Sequence, residues 1–186
     1  YYDEDGVLRY DGDWLDGKTD GVGIYYYEDG VTMMYNGGRK KGDRHGFGNY
    51  YKNDGTLIYH GNWMNNTRDG QGIQYREDGS KYYEGQWKTD LIRGFGKKFY
   101  PNGRLAFDGQ FLDGKFQGQG KFYNTDGLLE YDCMYENGLR CGHGIEYHFN
   151  GFICYEGGWK NNEKHGAGKY YFEDKNYHLC HNGEYY

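Results

Sequence analysis

Apolar and polar residues alternate with a period of two in short runs that recur along the chain. In one such run, Leu57, Tyr59, Gly61 and Trp63 occupy every second position, and residues 105–111 alternate in the same way. A period of two is typical of a β-strand. No segment shows a 3.6-residue apolar period of useful length. The pattern therefore predicts an all-β fold.

The strand pattern belongs to an internal repeat. Each unit reads Tyr-x-Gly-x-Trp, a spacer, Gly-x-Gly, a further aromatic residue and then Asp-Gly or Asn-Gly. Full units begin at Tyr10, Tyr35, Tyr59, Tyr83, Phe107, Tyr131 and Tyr155, spaced by 24 residues except for 25 in the first and 26 in the last. Partial units occupy residues 1–9 and 181–186, so the sequence predicts one repeat array over residues 1–186.

Each unit also predicts a second strand, which we place after Gly-x-Gly, and a tight turn at Asp-Gly. The length of the units varies only beside this dipeptide, and Asp-Gly and Asn-Gly are strong hairpin signals because both residues tolerate positive φ. Hairpin after hairpin gives a single-layer antiparallel meander of about seven repeats. A flat layer cannot bury its apolar face, so we expect the sheet to curl into an elongated, twisted gutter.

Glycines and rings are expected to form the thin core of this sheet. Glycine in Gly-x-Gly, and between Tyr and Trp, lets rings pack over bare backbone, and each ring of the Tyr and Trp columns is expected to touch its equivalent in the neighbouring units. The predicted structural residues are Trp14, Trp63, Trp87, Phe111, Trp159, Gly72, Gly96 and Gly120. Asn65, in the spacer, is expected to be exposed and to tolerate alanine within about 0.5 kcal/mol.

A second aromatic column marks the candidate partner-binding site. One position of the second strand is aromatic in all seven units, whereas the residue before it varies freely. A single sheet has too little apolar mass to cover both faces, and exposed aromatic surface usually marks an interaction site. The candidate anchors are Tyr51, Tyr75, Phe99, Tyr123 and Tyr147. The expected occupant is an amphipathic helix or an extended segment of another protein.

Composition and charge narrow the class of function. The 186 residues carry a formal charge of −6, which argues against nucleic-acid binding and against attachment to anionic lipid, for which clustered Lys and Arg are needed. Aromatic residues make up 20% of the chain, which argues against disorder. No apolar run is long enough for a transmembrane helix. We expect a monomeric, cytoplasmic protein, and we expect this sequence, which starts with Tyr1, to be an excerpt of a longer one.

Candidate catalytic and metal-binding patterns are weak. Gly-x-Gly recurs seven times, whereas a nucleotide loop needs Gly-x-Gly-x-x-Gly once, between a strand and a helix. Cys133, Cys141, His143, His148 and Cys154 lack the Cys-x-x-Cys pairs typical of zinc sites, although the spacing of Cys141 and His143 leaves a metal as the alternative. All cysteines are expected to be free thiols. We therefore expect no catalytic residue, no cofactor and no metal.

The complete pattern resembles the MORN repeat (membrane occupation and recognition nexus), and its seven copies cover nearly the whole chain. It departs from the usual pattern at Arg39 in place of Trp, at Cys133 and Tyr135 in place of Gly and Trp, and at Asp174-Lys175 in place of Asp-Gly. The resemblance implies a gutter-shaped single sheet and a scaffold or binding role, as in proteins of cilia, the cytoskeleton and membrane junctions. A membrane-contact module and a regulatory arm of a larger enzyme are the alternatives.

Overall fold

The computed structural model describes residues 1–173 and 179–185, which form fifteen β-strands and no helix. The strands are antiparallel and follow one another in chain order, which confirms the predicted all-β meander. The strands are β1 Tyr10–Leu15, β2 Lys18–Tyr26, β3 Met33–Lys40, β4 Asp43–Tyr51, β5 Leu57–Met64, β6 Thr67–Tyr75, β7 Lys81–Lys88, β8 Leu91–Phe99, β9 Leu105–Leu112, β10 Lys115–Tyr123, β11 Leu129–Glu136, β12 Leu139–Tyr147, β13 Ile153–Lys160, β14 Glu163–Tyr171 and β15 Leu179–Tyr185. The unusual Asp174-Lys175 pair lies outside the described residues.

The strands belong to two compact units. The first unit, residues 1–91, contains β1 to β7, and each of these strands pairs with the next. The second unit, residues 92–186, contains β8 apart from its first residue, and then β9 to β15. Its strands also pair consecutively, from β8 with β9 to β14 with β15. Every pairing is local in sequence, as expected for a repeat in which each hairpin packs on its neighbours.

The turn that follows Trp in each repeat has two residues with positive φ. Asn65 has a φ of 49° and Asn66 a φ of 69°, as in a type I′ turn. The second strand starts directly after this turn, so β6 begins at Thr67, three residues before Gly70. Its predicted start after Gly-x-Gly was therefore wrong. Asn65→Ala would place alanine in a left-handed conformation, so we replace the expected tolerance by an expected cost of about 1 kcal/mol.

In the repeats whose turns the structure describes, the opposite end is closed by the predicted Asp-Gly or Asn-Gly turn. In the turn between β4 and β5, the amide of Gly55 donates to the carbonyl of Lys52 at 2.9 Å, and Lys52 in turn donates to Thr56 at 2.9 Å. The carboxylate of Asp54 accepts from the amide of Thr56 at 2.9 Å, which is the local bond that makes Asp favourable in turns. Gly55 has a φ of 84°, a conformation that glycine adopts without steric cost.

The core lies on one face of the sheet, which we call the ladder face, where the first ring of each repeat covers a pair of glycines. Gly61 and Gly72 lie directly opposite each other on β5 and β6. Tyr59, which is 1% exposed, covers both, and a Cβ on Gly72 would lie 2.6 Å from its Cε2 and closer still to its Cζ and Oη. The hydroxyl of Tyr59 donates to the carbonyl of Asn62 at 3.1 Å. Bare backbone is therefore required beneath this ring.

The same arrangement recurs in the second unit. Gly96 and Gly120 both lie opposite Gly109 on neighbouring strands. The buried ring of Phe107 covers Gly120, where a Cβ would lie 2.7 Å from its Cε2. The three predicted structural glycines, Gly72, Gly96 and Gly120, thus all belong to cross-strand glycine pairs.

Tryptophans fill the gaps between these rings. Trp87, 4% exposed, meets Tyr59 edge-on at 5.6 Å and Tyr83 at 5.3 Å, and its indole nitrogen donates to the carbonyl of Gly72 at 3.4 Å. Trp63 sits between Tyr35 and Tyr59 in the same way. The ladder therefore alternates tyrosine and tryptophan. The expected contact between equivalent rings of neighbouring repeats was wrong, because a tryptophan lies between one tyrosine and the next.

The predicted core tryptophans and their counterpart Phe111 are not all buried. Phe111 and Trp159 are buried like Trp63 and Trp87, but Trp14 is 49% exposed. Trp14 meets the ring of Tyr10 at 5.5 Å, and on its other side only Tyr1 at 6.3 Å. Only a partial repeat precedes Trp14. The tyrosine of the preceding repeat, which the other tryptophans contact, is therefore missing. The expectation that Trp14 is a core residue was wrong for this reason.

Candidate functional site

The face opposite the ladder, which we call the column face, carries the candidate anchors. The ring of Tyr50 lies 6.3 Å from that of Trp63, so Tyr50 points to the ladder face. In a regular strand the next side chain points to the opposite face, and on this basis we assign Tyr51 to the column face. We assign the column residues of the other repeats in the same way.

The structure places the five anchors at equivalent ends of second strands. It brings Tyr51 and Tyr75 together on β4 and β6 of the first unit, and Phe99, Tyr123 and Tyr147 on β8, β10 and β12 of the second. All five side chains are half-buried. Each anchor also lies at a shift in strand register. Anchors of adjacent repeats are two strands apart, which corresponds to about 10 Å.

Hydrogen bonds to the backbone carbonyls hold some members of the column in place. They were not predicted from the sequence. The hydroxyl of Tyr27 donates to the carbonyl of Tyr51 at 2.7 Å, and the hydroxyl of Tyr100 donates to the carbonyl of Tyr123 at 2.8 Å. Burial, as the main cause, raises the pKa of Tyr27 to about 12. Each of these tyrosines directly follows the column residue of the preceding repeat. A tyrosine at this position is the signal by which the sequence indicates such a hydrogen bond.

Exposed apolar side chains continue the column face of the first unit. Val22 is 63% exposed and Phe47 54%. Phe47 meets His60 edge-on at 4.7 Å, and the Nδ1 of His60 lies 2.6 Å from the Oδ1 of Asn49. A shallow open groove runs beside Phe47 over the glycine pair and is lined by His60, Gly61, Asn62, Gln71, Gly72, Ile73 and Glu84. Exposed apolar groups beside a groove are suited to contact with another protein.

The column face of the second unit combines ion pairs with an exposed ring. Lys97 lies 3.8 Å from Asp108, and Lys121 lies 3.7 Å from Asp132. Exposed ion pairs of this kind contribute little to stability, but they neutralise each other and leave the face without a strong net charge. Phe95, at the repeat position of Phe47, is 63% exposed, so both units present apolar groups on this face.

In the sixth repeat the unusual residues replace the standard core parts. The thiol of Cys133 covers Gly144 in place of a ring, so that a Cβ on Gly144 would lie 2.8 Å from the Cβ of Cys133. The displaced ring of Tyr131 lies against Arg140, whose guanidinium carbon is 3.9 Å from the ring centroid. Tyr135 is buried in the place of tryptophan, 5.3 Å from Phe107. Burial raises the pKa of the Cys133 thiol to about 12, so this cysteine is not an activated nucleophile.

The remaining candidate chemistry is sparse. Cys133, Cys141, Cys154 and Cys180 are free thiols. In residues 1–173 and 179–185, no three His, Cys, Asp or Glu side chains are grouped so that they could hold a metal ion. The same residues contain no helix of the length and hydrophobicity needed to cross a membrane.

A clamp between consecutive repeats was also missed from sequence. The Nε of Arg68 donates to the carboxylate of Asp90 at 2.9 Å and its Nη2 to the carbonyl of Asp90 at 3.1 Å, and the guanidinium lies 4.0 Å from the ring of Trp87. Two further clamps join Arg44 to Asn66 and Arg140 to Asn162. The sequence does contain a signal for this clamp. At the repeat position of Arg68, a repeat has Arg where the second turn residue of the next repeat is Asn or Asp, and Thr, Ile or Phe where that turn residue is Gly.

Comparison with known proteins agrees with this architecture. The family model described as MORN repeat matches seven segments that together cover most of the chain: 10–32, 35–57, 59–81, 83–103, 107–128, 133–152 and 155–177. No curated protein matches the chain significantly.

Proposed function

Because the chain belongs to the MORN repeat family, we propose that it is a non-catalytic scaffold that binds a segment of a partner protein on its column face. The observation that carries this proposal is the difference between the two faces. The ladder face is filled by its own rings, whereas the column face presents half-buried rings beside exposed apolar side chains.

The chemistry of the column face suits an amphipathic helix or an extended segment. Tyr51 and Tyr75 offer rings whose apolar bodies can be covered while their hydroxyls reach water. Phe47 and Val22 are large apolar side chains on the same side of the same unit and lie open to solvent. Aromatic anchors spaced along a groove are the usual means of binding such segments. In the second unit, Phe99, Tyr123 and Tyr147 have the equivalent positions and are the candidate anchors of that unit.

The setting of this interaction is proposed from the family alone. Proteins with these repeats occur in cytoskeletal, ciliary and junctional assemblies. On that basis we propose a cytoplasmic monomer that contributes to a cytoskeletal or ciliary assembly. The charge of −6 argues against the alternative of contact with an anionic membrane.

Tyr75→Ala tests the proposed function. The variant should lose partner binding by about 1–2 kcal/mol if Tyr75 is an anchor, and its melting temperature should stay close to that of the wild type because the ring is outside the ladder. Quantitative capture from cytoplasm should therefore show proteins retained by the wild type and depleted with Tyr75→Ala. Gln74→Ala, which changes the neighbouring residue on the ladder face, is the matched control and should retain them. Equal capture by all three proteins would reject the column face as the binding surface.

A further inference from the structure

Two arginines lie opposite each other on the ladder face of the first unit. Arg39 replaces the usual tryptophan in β3 and is paired in register with Arg44 in β4. Their guanidinium carbons lie 5.9 and 6.0 Å from the centroid of the Tyr35 ring. Like charges directly opposite in a sheet are destabilising, so this pair calls for a compensating anion.

Among the residues that the structure describes, neither arginine forms an ion pair. Asp90 attracts Arg44 electrostatically, but its carboxylate is already bound to Arg68. Arg39 donates from Nε to the hydroxyl of Thr19 at 3.3 Å and from Nη2 to the carbonyl of Gly42. Arg44 donates from Nη2 to the carbonyl of Asn66 at 3.0 Å. The Nη1 of Arg39 and the Nε and Nη1 of Arg44 are left to bind another acceptor. Arg68, at the position equivalent to Arg44, has Asp90 at 2.9 Å instead.

Aromatic rings hold both guanidinium groups in place. Arg39 lies 4.4 Å from the ring centroid of Tyr25, and Arg44 lies 4.2 Å from that of Trp63 and 5.4 Å from that of Tyr50. Both arginines are half-buried, and burial lowers the pKa of Arg44. Stacking restrains the guanidinium planes, so that the remaining N–H groups, on Nη1 of Arg39 and on Nε and Nη1 of Arg44, can donate charge-assisted hydrogen bonds to a carboxylate or phosphate.

We propose that the Arg39–Arg44 pair is a binding site for a carboxylate from an acidic segment of a partner protein. A carboxylate on a flexible side chain can enter between the rings without approaching the rest of the surface. A planar anionic bilayer would meet the whole surface of a protein whose formal charge is −6, which disfavours its approach. This site is on the face opposite the aromatic column, so it does not depend on the partner proposed above.

A random peptide library displayed on phage provides the probe. It is selected on the wild-type protein and counter-selected on Arg39→Trp, which restores the usual ladder residue and should keep the fold. Enriched peptides are expected to contain Asp or Glu. Replacing that residue by Asn or Gln in the synthetic peptide should weaken binding roughly tenfold or more, as for a lost charge-assisted hydrogen bond. Arg44→Gln should weaken the parent peptide similarly and abolish the difference between the two peptides, which is the coupling expected of a direct contact.

The controls separate this site from general electrostatics and from the column face. Lys41→Gln removes the same charge from an exposed position nearby and should leave peptide binding unchanged. Tyr75→Ala should also leave it unchanged, so a failure of the column-face function can be told apart from a failure of this site. Melting temperatures close to that of the wild type show that each variant is folded.

Four peptide results would overturn the proposal. They are no peptide enriched by the wild type over Arg39→Trp, enriched peptides without an acidic residue, equal losses of peptide affinity with Lys41→Gln and Arg44→Gln, or additive effects of Arg44→Gln and the acidic-to-amide change in the peptide. Vesicles that contain phosphatidylserine or a phosphoinositide test whether a lipid headgroup supplies the anion instead. Vesicle binding that is lost in Arg39→Trp, without selection of acidic peptides, would assign the site to a headgroup phosphate and reject the protein carboxylate.

Discussion

Replacing Gly72 with valine is expected to destabilise the protein by about 3 kcal/mol, the upper range for overpacking a core. The ring of Tyr59 lies directly over Gly72, where a Cβ would be 2.6 Å from its Cε2. The ring cannot withdraw without exposing itself and losing its bond to the carbonyl of Asn62. Denaturant unfolding followed by circular dichroism measures the change in the free energy of unfolding.

The matched control for this substitution is Gln71→Val. It introduces the same side chain one position earlier, where Gln71 is exposed and the strand alternation points away from the Tyr59 ring. Because valine favours strands and an exposed change seldom has a large effect, we expect a difference within about 0.5 kcal/mol. Equal unfolding midpoints for Gly72→Val and Gln71→Val would show that the glycine pair is not needed for ring packing.

Trp87→Ala is expected to have an equally large or larger effect, with a loss of about 3–5 kcal/mol as for other buried tryptophans. Trp87 is buried between Tyr59 and Tyr83 and is also covered by the guanidinium of Arg68. Its removal leaves a cavity between two rings that are themselves buried, and the rigid sheet backbone cannot close it. Thermal and denaturant unfolding should both report the loss.

Trp14→Ala is the natural comparison, because Trp14 has the same repeat position but is 49% exposed. We expect it to cost about 1 kcal/mol, in keeping with a partly exposed contact. Similar losses for Trp14→Ala and Trp87→Ala would contradict the account in which each tryptophan gains its stability from the tyrosine of the preceding repeat.

The regular part of the fold could be predicted because the repeat presents the same information several times. The alternation around Tyr59 and Trp63, together with Asp54-Gly55, was sufficient for a hairpin and hence for a meander. The turn after the Trp position was missed although three repeats have Asp-Gly or Asn-Gly there (Asp16-Gly17, Asp113-Gly114 and Asn137-Gly138), because the pattern is broken at Asn65-Asn66 and Thr89-Asp90. In these repeats, strand pairing on both sides imposes the turn, which local propensity alone does not indicate.

The sequence predicts which residues form the aromatic column of the candidate site, but not which face of the sheet they occupy. The constant aromatic position identified Tyr51 and Tyr75, but the face on which they lie follows from the contact between Tyr50 and Trp63. The exposure of Trp14 is an end effect that depends on the missing neighbour and not on its own repeat. The unpaired state of Arg44 likewise follows from its surroundings, since Asn66 stands where Asp90 accompanies Arg68.

Hydroxyl-radical footprinting of the protein with and without its captured partner, read out by mass spectrometry, tests the central claim most directly. If the partner lies on the column face, the oxidation of Tyr51 and Tyr75 should fall clearly on binding. Tyr59 and Trp87 should react little in either state because the ladder buries them. Oxidation of Tyr51 and Tyr75 that is unchanged by the partner, with protection confined to the ladder face or the turns, would contradict the account.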